Sequence, residues 1–406
     1  MSKERSPFTP GRPVPVDYFT GRLDEIRRLE RAIKQASMGK NENVFLTGER
    51  GIGKSSLADF IRFIAEKHHA FVGAHCYLGA AQNLEEVCQL MFRELVRQLP
   101  ERGLIEKAQS ALSKYIEKVD FELFGMGATI ELTRDASKLR DIRLDFPNLL
   151  RGLFQTIKSE RKGIILILDD LNGITKVADF AFFLKSVVDS LANERQAFPF
   201  VILLVGIEER MQDLASEQPS IVRIFSRVEL SLMSEQESSE FFMKAFDSVN
   251  CKVEQDALDL LIYYSGGLPM LMHEVGDATF WLDEDNNINS TDASGGVFFA
   301  ADSVGRKYLN PTVYSTIRSS AYLSILRRIG KMFPLRKEFK RVEMLKEIPS
   351  AEKNKFDAFV RKMHDLGMIK LGAERGTYIF VNDLYPLYIA LEAMRAEEKS
   401  KKQSET

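Results

Sequence analysis

One stretch of the chain, residues 43–57, restricts its possible folds more than any other. An apolar run from Val44 to Leu46 predicts a short buried strand. The pattern Gly48-x-x-x-x-Gly53-Lys54-Ser55 follows at once, and it is the pattern of a phosphate-binding loop. A helix is predicted directly after the loop, because apolar residues recur there at helical spacing: Leu57, Phe60, Ile61 and Ile64.

The residue types in this loop fit the binding of a nucleoside triphosphate. Three glycines allow a tight turn whose backbone N–H groups point at a phosphate, and the helix N-terminus adds partial positive charge. Lys54 supplies a full charge for the β- and γ-phosphates, and the Ser55 hydroxyl suits Mg²⁺. We therefore predict ATP and Mg²⁺ as cofactors, with these loop residues as the binding site: Gly48, Glu49, Arg50, Gly51, Ile52, Gly53, Lys54, Ser55 and Ser56.

A second stretch completes the predicted site. Five apolar residues from Ile164 to Leu168 predict a strand that is buried on both faces of a parallel sheet, and Asp169 and Asp170 follow it. The carboxyl edge of an α/β sheet is where ligands bind. We expect Asp169 to hold Mg²⁺ through water, and Asp170 to orient or deprotonate the attacking water.

Strands alternate with helices along the first half of the chain, which predicts an α/β fold. The expected architecture is the three-layer αβα parallel sheet of P-loop NTPases, followed by a helical lid and a C-terminal winged-helix domain. The predicted division is an extended N-terminal arm over 1–18, a P-loop ATPase core over 19–230 with a β-hairpin insertion at 119–133, a helical lid over 231–282, a linker over 283–318, a winged helix over 319–395 and a disordered tail over 396–406.

The winged-helix prediction rests on three helical patterns followed by a hairpin pattern. Residues 321–375 carry fourteen Lys and Arg against seven Asp and Glu, a local charge of +7 in a chain of net charge −2. An excess of this kind is typical of double-stranded DNA binding, but also of a solvated face or a protein-docking surface, so both partners stay open. The cations placed to meet phosphates are Lys337, Lys340, Arg341, Lys353, Lys355, Arg361, Lys362 and Arg375.

The composition of the whole chain limits the remaining function classes. The net charge of −2 implies no global attraction to nucleic acid, so any such binding must be local. Three scattered cysteines without metal-type spacing are typical of unpaired thiols in a reducing compartment. Neither a signal peptide nor a membrane-spanning run is recognisable, so we expect a cytoplasmic protein with no membrane partner. His68, His69 and His75 are interpreted as core or surface residues.

Together these motifs resemble the AAA+/STAND branch of the P-loop ATPases. The chain is most similar to archaeal-type ATPases and, more distantly, to replication initiators and transposition ATPases. Phe19-x-Gly21-Arg22-x-x-Glu25 resembles the family's N-terminal box, which lies against the adenine side of the nucleotide in relatives. Gly267-Leu268-Pro269 resembles the lid element whose proline touches the nucleotide in STAND relatives. The resemblance therefore implies nucleotide contacts at Phe19, Gly21, Arg22 and Pro269.

Three features depart from the family pattern. The strand after the acidic one ends Leu204-Val205-Gly206, without the polar sensor side chain of AAA+ relatives. Met270 stands where replication-initiator-like relatives have an arginine, and the acidic pair is Asp-Asp rather than Asp-Glu. These departures imply a slow switch rather than a fast ring-type ATPase.

The segment from Ser220 to Arg227 resembles the family segment that carries an arginine finger. The resemblance implies that Arg223 reaches the γ-phosphate of a neighbouring copy, and so implies a homo-oligomer. The alternative is that Arg223 and Arg227 are a pair of surface arginines.

Two functions agree with these observations. The first is an ATP-dependent switch that hydrolyses ATP slowly, binds DNA through the winged helix and oligomerises, as in replication, transposition, repair or defence. The second is a STAND-type signalling ATPase whose winged helix docks on its own core or on a protein partner. The basic excess favours the first, whereas the missing sensor side chains and Gly-Leu-Pro favour the second.

Overall fold

The computed structural model describes residues 3–99, 116–121, 128–132, 136–171, 173–192, 198–332 and 335–404. The chain divides into two compact units. Residues 13–231 form one, which we call the sheet unit, and residues 1–12 with 232–406 form the other, which we call the helical unit.

The sheet unit contains the predicted α/β fold. Its strands are β1 Asn43–Gly48, β2 Phe71–Tyr77, β3 Ile116–Phe121, β4 Ala128–Leu132, β5 Gly163–Asp169, β6 Phe200–Val205 and β7 Phe225–Leu230. Its helices are α1 Leu23–Ser37, α2 Lys54–His69, α3 Leu84–Arg97, α4 Ala136–Ile157, α5 Ala178–Ala192, α6 Glu208–Glu217 and α7 Ile221–Ile224. Short 3₁₀ turns cover Val16–Tyr18 and Ile174–Lys176.

Five of these strands form a parallel sheet in the order β2-β5-β6-β1-β7, and helices flank it. Strands β5 and β6 are buried along their whole length, as their unbroken apolar runs predict. The predicted three-layer αβα architecture is therefore confirmed. The predicted hairpin is also present as the antiparallel pair β3–β4, and its turn lies outside the described residues.

Strand β7 is an element that the sequence pattern did not predict. It pairs in parallel with β1 from Asn43 opposite Phe225 to Gly48 opposite Leu230. Only Phe225, Val228 and Leu230 of this strand are buried. An edge strand with a polar face lacks the continuous apolar run by which the central strands are recognised.

The helical unit is built mainly from packed helices. These are α8 Glu235–Asp247, α9 Gln255–Ser265, α10 Pro269–Leu282, α11 Ser290–Val304, α12 Ser320–Lys331, α13 Arg341–Glu347, α14 Phe356–Asp365 and α15 Leu384–Ser404, with a π-helical segment at Gly305–Tyr314 and a 3₁₀ turn at Lys353–Lys355. Its strands are β8 Lys252–Val253, β9 Asn287–Ile288, β10 Glu338–Lys340, β11 Ile369–Leu371 and β12 Thr377–Phe380.

The C-terminal part of the helical unit contains the predicted helices and hairpin. Helices α12, α13 and α14 precede the antiparallel pair β11–β12. Strand β10 was not predicted, and it adds to β12 to give a three-stranded sheet in the order β10-β12-β11. With three residues, it is too short for its apolar pattern to be recognised.

The predicted linker over 283–318 is wrong, because most of that stretch is helical. Its Asn- and Asp-rich start is a helix cap: the Asn289 side chain accepts from the Thr291 and Asp292 backbone N–H groups, and the Asp292 carboxylate accepts from the Asn289 N–H. Its glycines allow close helix contact, since a Cβ at Gly296 would collide with Thr279 of α10. Polar caps and small packing residues therefore gave the composition of a linker.

The disordered tail predicted over 396–406 is also wrong for most of its length. Helix α15 continues from Leu384 to Ser404. The beginning of α15 is anchored by burial, since Leu384, Tyr388 and Ile389 are fully buried. Once this buried turn forms, each further charged residue adds one backbone hydrogen bond at little cost.

The predicted N-terminal arm belongs to the helical unit through residue 12. Phe8 is buried, and its ring centroid lies 5.0 Å from that of Phe246 and 5.9 Å from that of Phe241. The Lys3 ammonium donates to the Phe280 carbonyl at 2.6 Å and pairs with Asp283. The arm is therefore packed into the unit by one aromatic and one charged anchor.

Two further expectations can be compared with the structure. All three cysteines, Cys76, Cys88 and Cys251, are buried, and none of the three forms a disulfide. Across the ranges that the structure describes, no helix has the length and apolarity needed to cross a membrane.

A buried histidine beside the arm makes the stability of the helical unit depend on pH. The Thr9 N–H donates to His273 Nδ1 at 3.2 Å, and the His273 ring lies edge-on to Phe241. Burial lowers the pKa of His273 to about 4. In an unfolded chain the pKa is about 6.5, so between these values the unfolded state binds a proton that the folded state does not.

We predict that the helical unit loses stability as the pH falls from 6.5 towards 4. From pH 7 to pH 5 the contribution of His273 is a loss of about 2 kcal/mol. Urea unfolding followed by the fluorescence of Trp281, the chain's one tryptophan, measures it. His273→Asn keeps an acceptor for Thr9 but does not titrate. The free energy of unfolding of this variant is therefore expected to fall by about 2 kcal/mol less over this pH range than that of the original chain. Equal losses in the two proteins would contradict the prediction.

Candidate functional site

The predicted phosphate loop lies between β1 and α2. Gly48, Gly51 and Gly53 have φ values of 148°, 81° and 93°, which side-chain-bearing residues rarely adopt. A Cβ at Gly48 would also lie 2.8 Å from the carbonyl oxygen of Leu230, at the end of β7. The glycines are thus required by both backbone conformation and close packing, and Gly53 immediately precedes the N-terminus of α2.

Lys54 turns back over the loop. Its Nζ donates to the carbonyl oxygens of Gly48 at 2.9 Å and Glu49 at 2.8 Å. Burial lowers the pKa of Lys54, and the nearby charge of Asp169 opposes that effect only in part. Lys54 therefore caps the loop with its charge held close to the acidic strand.

The other loop residues differ in exposure. The side chains of Glu49 and Arg50 are exposed, whereas Ile52 is buried beneath the loop. Ser55 is half-buried, and the Ser56 hydroxyl accepts the Val14 backbone N–H at 3.1 Å. Only Ser55 of the two serines combines partial exposure with a position directly after Lys54.

The N-terminal box supports the loop from outside. Phe19 stacks on Phe60 of α2, with ring centroids 4.6 Å apart and planes 12° apart. Arg22 is buried, and its guanidinium donates to the carbonyl of Ile52 at 3.2 Å and of Ser231 at 2.6 Å. Gly21 and Arg22 have φ values of 76° and 64°, a tight turn before α1. Arg22 thus contacts the loop directly, a support that the sequence pattern did not reveal.

The acidic pair lies at the carboxyl end of β5. Asp169 is buried, and its Oδ1 accepts the Asp170 backbone N–H at 2.7 Å. Asp170 has a φ of 56° and an exposed side chain. A Cβ at Gly79 would collide with the Asp170 carboxylate, so that carboxylate lies directly over a glycine that follows β2. The left-handed backbone at Asp170 is the kind of strain that occurs at functional sites.

Parallel pairing brings the loop and the acidic pair to one edge of the sheet. Strand β6 lies between β5 and β1, and all three run in the same direction. Their carboxyl ends therefore share an edge, and the effect of Asp169 on the Lys54 pKa agrees with this proximity. This edge is where α/β sheets bind ligands.

The donor atoms at this edge fit Mg²⁺. The Ser55 hydroxyl and the Asp169 carboxylate are hard oxygen ligands of the kind that Mg²⁺ prefers. Among the described residues, no group of three or more His, Cys, Asp or Glu side chains is arranged to hold a metal ion by itself. Mg²⁺ typically takes one or two ligands from the protein and the others from phosphates and water, so Ser55 and Asp169 are enough as protein ligands.

His75 is a site residue that sequence reasoning missed. Its Nε2 lies 3.1 Å from Asp169 Oδ2, and its Nδ1 lies 3.7 Å from Asp59 Oδ1. Burial acts to lower the His75 pKa, but the two carboxylates outweigh it and raise the pKa. The nearby His75 ring in turn lowers the pKa of Asp59. A histidine in a strand gives no signal of such a role until the register of β2 against β5 is known.

Glu208 is a second missed residue. It begins α6, three residues after the end of β6, and its Oε2 accepts the Thr47 hydroxyl at 3.4 Å. Arg227 on β7 pairs with the same oxygen at 2.9 Å and with Glu229 at 2.8 Å. The strand itself carries no polar residue at its end, as expected, but a carboxylate stands just beyond it beside the residue that precedes Gly48.

The remaining predicted site residues lie elsewhere. Arg223 is on the short helix α7, with an exposed side chain that donates to Ser220 Oγ at 3.3 Å. Pro269 is the first residue of α10 in the helical unit. The Met233 N–H donates to the Gly267 carbonyl at 2.8 Å, so the Gly-Leu-Pro turn is tied to the chain that enters the unit.

Comparison with known proteins agrees with this geometry. The family described as "AAA ATPase domain" matches residues 18–196. None of the curated proteins matches the chain.

Two solved structures share the fold. The Aeropyrum pernix ORC2 protein, solved as ADPNP-ADP complexes, is 14% identical, with a TM-score of 0.59 over 98% of this chain and 99% of that one. The Walker-type ATPase PABY2304 of Pyrococcus abyssi is 18% identical, with a TM-score of 0.51 over 93% of this chain and 98% of that one. Residues 18–196 are therefore similar to an AAA ATPase domain, and the two solved structures share the fold over most of this chain.

Proposed function

We propose that the chain is a switch that binds Mg²⁺–ATP at the edge formed by β1 and β5 and hydrolyses it slowly. The observation that carries the proposal is the convergence of the glycine loop, Lys54 and the acidic pair at one edge. In this proposal the loop from Gly48 to Ser56 binds the phosphates, while Ser55 and Asp169 hold the metal ion. Phe19, Gly21 and Arg22 form the adenine side, and Pro269 contacts the nucleotide from the lid.

The hydrolytic step is assigned to Asp170, which accepts a proton from water or orients it for attack on the γ-phosphate. An aspartate reaches less far than the glutamate of fast relatives, and Met270 replaces a lid arginine. Both differences support slow turnover, in which the bound nucleotide sets the state of the chain for long periods. We place this function in the cytoplasm.

DNA binding is assigned to a winged helix formed by residues 319–395. The order of helix, strand, two helices and antiparallel hairpin supports this assignment. Five of its eight candidate cations have exposed or half-buried side chains, and no ion pair within the described ranges involves them: Lys353, Lys355, Arg361, Lys362 and Arg375. Cations that have no ion-pair partner in the protein can neutralise DNA phosphates, which releases the counterions condensed on the DNA.

The other three cations support the alternative function. Lys337 pairs with Asp383 at 2.7 Å, Lys340 with Glu374 at 2.8 Å and Arg341 with Asp357 at 2.7 Å. Paired charges of this kind are weaker attractors of a polyanion. These ion pairs therefore favour the signalling alternative, in which the same domain docks on the core or on a protein.

Oligomerisation is assigned to the surface around α7. Arg223 and Val222 are both exposed there, the second at 57%. A neighbouring copy that covers Val222 would bring its nucleotide to Arg223, as an arginine finger in trans requires.

The nucleotide site is tested by Lys54→Ala. Removal of the charge over the loop is expected to weaken binding of a fluorescent ATP analogue at least about 100-fold, because the phosphates then lack their strongest partner. Lys67→Ala is the matched control, since this exposed lysine lies at the far end of the same helix. Unchanged affinity in Lys54→Ala would rule out the assignment.

The DNA interface is tested by reversing Arg361 and Lys362 to Glu. Duplex binding, measured by fluorescence anisotropy at several salt concentrations, is expected to weaken, and the slope of log K against log salt to become shallower by about 2. The control reverses the exposed Lys40 and Lys158 of the sheet unit, which changes the net charge equally. If both double variants bind duplex alike, the winged helix docks on protein instead.

A further inference from the structure

A line of three side chains joins the helix after the phosphate loop to the acidic strand. Asp59 lies on α2, His75 on β2, and Asp169 at the end of β5. His75 Nε2 is 3.1 Å from Asp169 Oδ2, and His75 Nδ1 is 3.7 Å from Asp59 Oδ1. We call this the Asp59–His75–Asp169 chain, and all of it lies within the sheet unit.

The imidazole in this chain is held firmly. Its side chain is 6% exposed, and the ring stacks on Tyr77 with centroids 4.5 Å apart and planes 20° apart. The backbone beneath it is fixed by the sheet, where His75 is paired with Ile167, two residues before Asp169. The ring therefore cannot turn away from the carboxylate without breaking its packing.

The two oxygens of Asp169 have different partners. Oδ1 accepts the Asp170 N–H at 2.7 Å, whereas Oδ2 faces His75 Nε2. Each carboxylate oxygen has two acceptor positions, so these contacts fix the plane of the carboxylate and leave one position on each oxygen. A carboxylate with a fixed plane and free lone pairs is suited to a metal ion or to a water bound to one.

The far end of the chain is anchored on α2. Asp59 Oδ1 accepts from Arg62 Nε at 3.0 Å and from Arg62 Nη2 at 2.9 Å, and Arg62 Nη1 donates to Glu66 at 3.1 Å. Asp59 follows Ser55 by four residues, about one helical turn. The same helix thus presents Ser55 to the site and, one turn later, braces the histidine that holds Asp169.

One atom in this arrangement is not explained by packing. His75 Nδ1 is buried and forms no hydrogen bond within the described part of the chain, since 3.7 Å to Asp59 exceeds hydrogen-bond length. A buried polar atom without a hydrogen bond is destabilising, because it has given up its hydrogen bonds with water. An apolar side chain would fill the same space without that cost, so a role beyond packing is indicated.

We propose that His75 is a positioning residue for metal–nucleotide binding, which holds the Asp169 carboxylate in the orientation that receives Mg²⁺ or its bound water. The proposal rests on the proposed function, in which Asp169 serves Mg²⁺–ATP. Groups that orient a metal-binding side chain typically change metal affinity by about 10- to 100-fold when they are removed.

The test separates metal binding from nucleotide binding in the full chain. A non-hydrolysable fluorescent ATP analogue is titrated first in EDTA, which gives the metal-free affinity. Mg²⁺ is then added at a fixed concentration of the analogue, which gives the Mg²⁺ concentration at which the increase in analogue binding is half-maximal. The variants are His75→Leu, which removes the contact, His75→Gln, which keeps an N–H donor on the side chain, and Asp59→Asn, which weakens the brace.

His75→Leu is expected to leave the metal-free affinity within about twofold of the original and to raise the half-maximal Mg²⁺ concentration about 10-fold or more. His75→Gln is expected to recover most of that loss, and Asp59→Asn to fall between the two. His69→Leu is the matched control, because His69 Nε2 pairs with Glu30 at 3.0 Å in the same unit, away from the acidic strand. It is expected to leave the Mg²⁺ requirement unchanged.

Two results would overturn this proposal and leave the proposed function standing. One is the same Mg²⁺ requirement in His75→Leu as in the original chain. The other is a loss of metal-free affinity in His75→Leu as large as the loss measured with Mg²⁺, which would identify a purely structural role. If the original chain binds the analogue without any Mg²⁺ dependence, the proposed function fails and this inference fails with it.

Discussion

The site depends on one constraint, the parallel pairing of β5, β6 and β1. Parallel strands end at a common edge, so a glycine loop after β1 and two aspartates after β5 meet there although about 115 residues of chain separate them. The helix after the loop then directs its N-terminus to the same edge. The rest of the site follows from this pairing. Lys54 lies between the loop and the acidic strand, and the Asp170 carboxylate lies over Gly79, which follows the neighbouring strand β2.

The central part of the fold was predictable because its signals are local. The loop pattern, the apolar runs of β1, β5 and β6, and the aspartates after β5 are each read from about ten consecutive residues. The linker prediction failed for a physical reason. Glycine permits tight turns in the loop at Gly48 but permits close helix packing at Gly296, and Asn289 is a helix cap rather than a break. Composition does not separate these uses, because what differs is the neighbour across space.

The missed site residues share that property. His75, Asp59, Glu208 and Arg227 lie on four different elements, and each gains its role only through a partner on another element. A charged or polar residue on one strand carries no sign of its partner on another. The sequence therefore identifies the groups proposed to contact phosphate and metal, whereas the structure identifies the residues that hold those groups in place.

The measurement that tests the account most directly is steady-state ATP hydrolysis by the full chain with and without duplex DNA, with Asp170→Asn as the blank. The account predicts slow hydrolysis that duplex DNA stimulates and that the blank lacks. Such a result would show that the nucleotide edge and the basic C-terminal domain act together. Hydrolysis that is the same with and without DNA, or that persists in Asp170→Asn, would contradict it.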